Sequence, residues 1–176
     1  LKVHSKLILV PRKKKGKVKR FGHIGTGNFH ESNAGIYEDL SLFTVNPKLT
    51  GELAKLFDFF ETTFERKTYR HVIVSPFSTR RKFVRMIDEE IALAKRGEEA
   101  WIRLKLNNLV DAKMIEKLYQ ASKAGVKVQL MIRGICALKP GVPGLSENIE
   151  ARSIVGRHLE HSRFLIFSGG GKPQTF

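Results

Sequence analysis

Twice along the chain a His-Ser-basic triplet is followed by four apolar residues: His4-Ser5-Lys6 by residues 7–10, and His161-Ser162-Arg163 by residues 164–167. Short uninterrupted apolar runs rich in β-branched and aromatic types predict strands buried on both faces, as in a mostly parallel sheet. Each His then stands at the start of a strand. After the first run come a basic stretch centred on Lys15-Gly16, which reads as a hairpin turn, and a Gly25-Thr26-Gly27-Asn28 turn. A short apolar run over residues 40–45 precedes Asn46 and Pro47, which are N-cap and first-turn signals. Leu49, Leu53, Leu56, Phe57, Phe60 and Phe64 then recur at helical spacing and predict a helix whose aromatic stripe is core.

The stretch ERKTYR, residues 65–70, breaks this periodicity, and the domain boundary is drawn there, dividing the chain into 1–66 and 67–176. The second part reads as a strand over 71–77, a helix over 78–96, a strand over 101–107, a helix over 111–123 and a strand over 126–134. Ser78 and Asp111 suit N-caps, and Gly97 and Gly125 suit helix C-termini. This βαβαβ order predicts an α/β fold with right-handed crossovers, in which ligands collect beyond the carboxyl ends of the strands. Asn107, Asn108 and Arg133 fall at that edge.

Composition narrows the function. Thirty-two Lys plus Arg against 17 Asp plus Glu give a net charge of +15, which draws in anions and points to a polyanionic partner. Seven of these cations lie in residues 11–20, read either as a solvated hairpin tip or as a contact for a phosphate chain. The single cysteine, Cys136, excludes an intrachain disulfide and suits a reducing compartment. No apolar run approaches the roughly 20 residues needed to span a bilayer, so the expected location is cytoplasmic, with peripheral membrane association as an option. His23, His30, His71 and His158 show no zinc spacing, and no structural metal is expected. The Gly-Thr-Gly-Asn turn is neither a Walker loop nor a dinucleotide fingerprint, and no Gly-x-Ser-x-Gly elbow is present. The start at Leu1 and the glycine-rich end read as those of a fragment.

His-x-Lys on a strand, followed by a glycine turn, supplies a nucleophilic imidazole, a cation and backbone N–H donors. His4 must be neutral to attack, and neighbouring cations favour that form. Lys6, Arg133 and Arg163 suit the charge that spreads over a phosphoryl group in transfer. The ring nitrogen that does not attack needs an acceptor to fix the imidazole tautomer.

The segments VHSKLILV, HIGTGNFHESNAGIYEDLSLFT, VSPFSTRRKF, IRLKLNNLVD, MIRGICAL and RHLEHSRFLIF together resemble the C-terminal catalytic region of polyphosphate kinases, a branch of the phospholipase D-like fold. The resemblance runs along nearly the whole chain. It implies two incomplete phospholipase D-like α/β halves: 1–66 as the latter part of one catalytic domain, and 67–176 as the first part of its duplicate, their sites facing each other. It implies reversible transfer of the terminal phosphate of ATP to inorganic polyphosphate through a phosphohistidine. By the same resemblance His4 is the nucleophile and His161 a nucleotide-site residue and acid or base. In phospholipase D-like sites a carboxylate beyond the glycine-turn asparagine fixes the imidazole tautomer, which makes Asp39 the candidate here, its other reading being a solvated carboxylate at a strand edge. Tyr37 and Arg133 become nucleotide contacts, and Asn28 and Arg163 belong with the nucleotide site. ATP or ADP is the nucleotide, magnesium accompanies it on ligands outside this chain, and the parent is expected to be a homo-oligomer that binds no nucleic acid. Hydrolytic members of the superfamily carry an Asp after His-x-Lys and four further residues; here Pro11 and Ser168 stand at those positions. A phosphodiesterase or nuclease is therefore the weaker alternative, and a noncatalytic polyanion-binding module explains the charge but not the paired histidines.

Overall fold

The computed structural model describes residues 3–65 and 67–176; the first residue, Leu1, and the boundary drawn at residue 66 lie outside the described residues. The chain forms two compact units, Leu1–Thr79 and Arg80–Phe176.

In the first unit, β1 (Lys6–Lys14) and β2 (Lys17–Gly25) form an antiparallel hairpin, with β4 (Ser41–Thr44) antiparallel on the far side of β2. Between β2 and β4 come a single helical turn, α1 (Glu31–Ala34), and the two-residue β3 (Tyr37–Glu38). The helix α2 (Pro47–Glu61) opens as expected, with the Asn46 side chain accepting from the Lys48 N–H at 2.9 Å and Pro47 in the first turn. It packs on the sheet at Gly22, where a Cβ would come 2.9 Å from a Leu53 methyl. A side chain there would push the helix off the strand.

This arrangement corrects three expectations. Ile8 and Val10 are 45% and 53% exposed rather than buried: β1 is an edge strand whose α2 side carries Leu7, packed on the cluster of Leu56, Phe59 and Tyr69. The aromatic stripe is only partly core. Leu53 and Leu56 are buried and Phe60 is half-buried, whereas Phe57 faces out and Phe64, 83% exposed, lies beyond the last residue of α2; the buried aromatic of the helix is Phe59, outside the expected stripe. The strand expected over 71–77 does not form. Its leading N–H groups, with that of Arg70, donate to the buried Glu52 carboxylate instead: Arg70 at 2.7 Å, His71 and Val72 at 2.9 Å. A segment whose donors are spent on one side chain cannot offer them to a neighbouring strand.

The second unit runs α3 (Thr79–Lys95), β5 (Trp101–Leu106), α4 (Ala112–Lys123), β6 (Lys127–Ile132), β7 (Ile149–Arg152), β8 (Leu159–Glu160), β9 (Phe164–Phe167) and β10 (Gln174–Thr175). Its five-stranded sheet has the order β10-β9-β5-β6-β7. Strands β5, β6 and β7 are parallel, and β9 and β10 join antiparallel. The α/β class holds, with the two kinds of pairing mixed. Ile102, Val128, Leu130 and Ile132 from the strands and Ile115, Leu118 and Ala121 from α4 are buried. Asp111 caps α4, accepting from the Met114 N–H at 3.0 Å. Gly97 and Gly125 take the left-handed conformation after their helices, with φ of 75° and 93°. The buried Glu90 of α3 accepts from Ser168 Oγ, the Gly169 N–H and the Trp101 N–H. It anchors the turn after β9 to the start of β5.

Candidate active site

Lys6 opens β1 and is buried, while His4, two residues earlier, is exposed. The Lys6 ammonium donates to the His4 carbonyl oxygen at 2.7 Å and lies 3.2 and 3.1 Å from Nδ1 and Nε2 of the same imidazole. A charge held this way cannot follow solvent, so it stays against the ring. The Gly25-Thr26-Gly27-Asn28 turn leaves the end of β2. Thr26 exchanges backbone and side-chain bonds with Leu40: its N–H donates to the Leu40 carbonyl at 3.0 Å, and its Oγ1 accepts from the Leu40 N–H at 2.9 Å. The same hydroxyl donates to Asp39 Oδ1 at 2.6 Å.

Gly27 makes this approach possible. A Cβ there would lie 2.5 Å from Asp39 Oδ2, so the glycine serves close packing against a carboxylate. Asn28 is exposed, and Tyr37 and Asp39 are partly buried. The unit thus gathers His4 with Lys6, and Asp39 with the glycine turn.

In the second unit Arg133 directly follows β6, at the carboxyl edge where ligands were expected, and Asn107 directly follows β5. The two loops are stitched together. The Gly134 N–H donates to the Asn107 carbonyl at 2.9 Å, the Ile135 N–H to Asn108 Oδ1 at 2.8 Å, and Leu109 and Ala137 donate to Ile135 and Leu109 in turn. A Cβ at Gly134 would come 2.2 Å from Asn108 Oδ1 and 2.8 Å from the Asn107 carbonyl oxygen. Arg133 is therefore carried on a doubly anchored turn.

His161 is buried between β8 and β9, with the partly buried Arg163 next to β9. Its neighbours on both sides are held by one buried lysine. Lys105, on β5, pairs with Glu160 and donates to Ser162 Oγ at 2.7 Å. Sequence reasoning missed Lys105, Glu160, Ser162 and Thr26. Lys105 left one sign, a cation inside the otherwise apolar end of WIRLKL; Glu160 and Ser162 had only their adjacency to His161.

Among the described residues, no group of three or more His, Cys, Asp or Glu side chains could hold a metal ion, and no helix is long and apolar enough to cross a membrane.

An α/β chain with an ammonium fixed against one histidine, and a lysine-braced second histidine beside an arginine, has the character of a phosphate-handling protein. Comparison with known sequences makes the class specific. The family described as polyphosphate kinase C-terminal domain 1 matches residues 1–66, and polyphosphate kinase C-terminal domain 2 matches residues 72–176. The chain belongs to the polyphosphate kinase family. It is 49% identical over 176 residues to a polyphosphate kinase of Vibrio cholerae, covering all of this chain and 25% of that protein. To a polyphosphate kinase of Escherichia coli K12 it is 47% identical, covering all of this chain and 26% of that one. The crystal structure of polyphosphate kinase from Porphyromonas gingivalis superposes on the whole chain with a TM-score of 0.89 at 36% identity, over 29% of its own chain. The chain thus spans about a quarter of the length of the curated relatives it matches.

Proposed function

We propose that this chain carries the phosphohistidine-forming part of a polyphosphate kinase, which reversibly moves the terminal phosphate of ATP to inorganic polyphosphate. The observation that carries the reading is the buried Lys6 ammonium held against the exposed His4 imidazole. In the first step a ring nitrogen of neutral His4 attacks the terminal phosphorus; the N–P bond forms as the bond to the bridging oxygen breaks, and ADP leaves. In the second, a terminal oxygen of polyphosphate attacks that phosphorus, and the N–P bond breaks to return the imidazole. Both steps pass through a phosphoryl group whose equatorial oxygens carry spread negative charge, so positioned cations are the main catalytic resource. Lys6 supplies one at the nucleophile. Asp39, oriented by Thr26 and Gly27, is the carboxylate assigned to the imidazole tautomer.

Arg133 and Arg163 are assigned to nucleotide phosphates, His161 to proton transfer at the nucleotide site, and Tyr37 and Asn28 to nucleotide contact. A planar guanidinium can grip two phosphate oxygens, where an ammonium acts as a point charge. Magnesium would enter with ATP. Among the described residues there is no cluster of ligands for it. Residues 1–66 and 67–176 are assigned to successive catalytic domains of the parent. The hydrolytic alternative is disfavoured by two positions: Pro11 is an exposed residue of β1, and Ser168 is a buried hydroxyl bonded to Glu90.

The test is labelling of the full-length protein with γ-phosphate-labelled ATP. Acid-labile label is expected in the wild type and absent in His4→Ala. Undiminished label in that variant overturns the assignment, and absence of label in the wild type reduces the chain to a polyanion-binding module.

A further inference from the structure

The basic residues of the β1–β2 hairpin are sorted onto its two faces by the strand register. Arg12 stands directly opposite Lys19, and Lys14 opposite Lys17. Directly opposed residues share a face, as do alternate residues of one strand. Arg12, Lys14, Lys17 and Lys19 therefore form a square of four cations on one side, while Lys13 and Arg20 lie on the other. All six are exposed, and among the described residues none of the four on the square makes an ion pair.

Like charges placed directly opposite on a ribbon repel. This ribbon has two such pairs in succession, joined by a two-residue turn in which Lys15 (φ 49°) occupies a left-handed position that Asn or Gly would fill at less strain. A solvated tip needs no such sorting. Lys6 lies on the same face as the square, since residues 6, 8, 10, 12 and 14 alternate along one strand without a bulge. The six steps along the strand from Lys6 to Arg12 span about 20 Å at the usual rise of a strand.

We propose that the Arg12–Lys14–Lys17–Lys19 face is a docking site for the polyphosphate chain, engaged at a distance from His4. The inference rests on the function proposed above and adds where the polymer is held. Its occupant is a flexible linear phosphate polymer rather than a single-stranded nucleic acid. Nucleic-acid strands are held by several aromatic platforms interleaved with charge; here the four cations follow one another without a ring between them, and Phe21, the one aromatic beside them on that face, is covered by the Lys19 ammonium 5.3 Å from its ring centroid. Three of the four cations are lysines, point charges that accept any oxygen of a repeating anion. The separation from His4 gives a length dependence. A long polymer reaches both His4 and the ribbon, and a three-phosphate acceptor reaches only one.

The experiment compares two double variants of the full-length enzyme, each removing two positive charges: Arg12→Gln with Lys19→Gln on the proposed face, and Lys13→Gln with Arg20→Gln on the opposite face. The first pair should raise the apparent KM for long polyphosphate several-fold. It should also flatten the log–log salt dependence of polymer binding by about 1.4, at roughly 0.7 per phosphate contact on a single-stranded polyanion. Tripolyphosphate use and labelling of His4 by ATP should stay at wild-type values, and the second pair should have little effect on any of these. Equal effects of the two pairs, an equal effect on tripolyphosphate, or no effect would each overturn the docking face. A single-stranded oligonucleotide that displaces labelled polyphosphate at lower charge concentration than polyphosphate itself would overturn the choice of partner. Direct binding of labelled polyphosphate is read separately from phosphohistidine formation. If the wild type binds through the ribbon yet forms no phosphohistidine, the proposed function fails while the docking face stands.

Discussion

Arg133 shows how one side chain depends on the backbone that carries it. Its turn is fixed by two neighbouring bonds, from Gly134 to Asn107 and from Ile135 to Asn108. Arg133→Lys keeps the charge but loses the planar fork. Losing a hydrogen bond to a charged group costs about 1.5–3 kcal/mol, so nucleotide kcat/KM should fall on the order of ten- to a hundred-fold; wild-type kinetics in that variant would exclude a specific phosphate contact. Gly134→Ala should do nearly as much harm without touching the charge, because its Cβ must displace the Asn107 carbonyl. A Gly134→Ala enzyme with unchanged nucleotide KM would show that the turn tolerates movement. The places of His4 just ahead of β1 and of Arg133 just after β6 were legible because the apolar runs that mark those strands are local. The Thr26–Asp39 bond was not, since it joins residues 13 positions apart whose meeting depends on how β2 and β4 pair. The glycine turn hinted at a close approach but could not say to what.

At the level of elements, the helices were legible from periodicity and caps, and β5 and β6 from apolar runs between them. The 71–77 segment misled because HVIVSPF has strand composition, while its fate is decided by a carboxylate on α2 about 20 positions earlier. Burial pushes the Glu52 carboxyl up, but the N–H donors of Arg70, Val72 and His71 and the His71 charge together hold it below its ordinary 4.5. A depressed carboxyl contributes stability that is fully present above the unfolded value and is lost as pH falls through the folded one. Wild-type stability should therefore drop on acidification below about pH 4.5, and Glu52→Gln should flatten that limb while costing about 2 kcal/mol at neutral pH. An acid limb identical in the two proteins would remove Glu52 from the account. The second unit offers a parallel test at His161. Lys105→Met removes the charge bonded to both of its neighbours, Glu160 and Ser162, and leaves a partly buried carboxylate without its partner. It should lower kcat and shift its pH profile, with partial rescue in Lys105→Arg. A pure loss of thermal stability with an unchanged profile would make the lysine merely structural.

Across the whole chain, the +15 charge acts on every residue at once. Self-repulsion of that size opposes the compact state, and several of the ion pairs among the described residues offset little of it: Arg85–Glu89, Arg96–Glu98 and Arg152–Glu150 lie at the surface, where such pairs contribute little, and only Lys105–Glu160 is largely shielded from water on both sides. The apolar centres of the two units work against this repulsion. Simple salt screens exposed charges over about 8 Å at physiological strength, so the melting temperature of the 176-residue chain should rise as sodium chloride is added from near zero to that strength. Polyphosphate should raise it further at matched ionic strength, because a ligand that binds the folded form stabilises it by mass action. The two effects separate by concentration: screening needs salt in the range of the whole buffer, whereas mass action saturates near the dissociation constant. If polyphosphate produced no shift beyond that of sodium chloride at equal ionic strength, the excess charge would serve long-range attraction alone, and no part of the folded chain would hold the polymer.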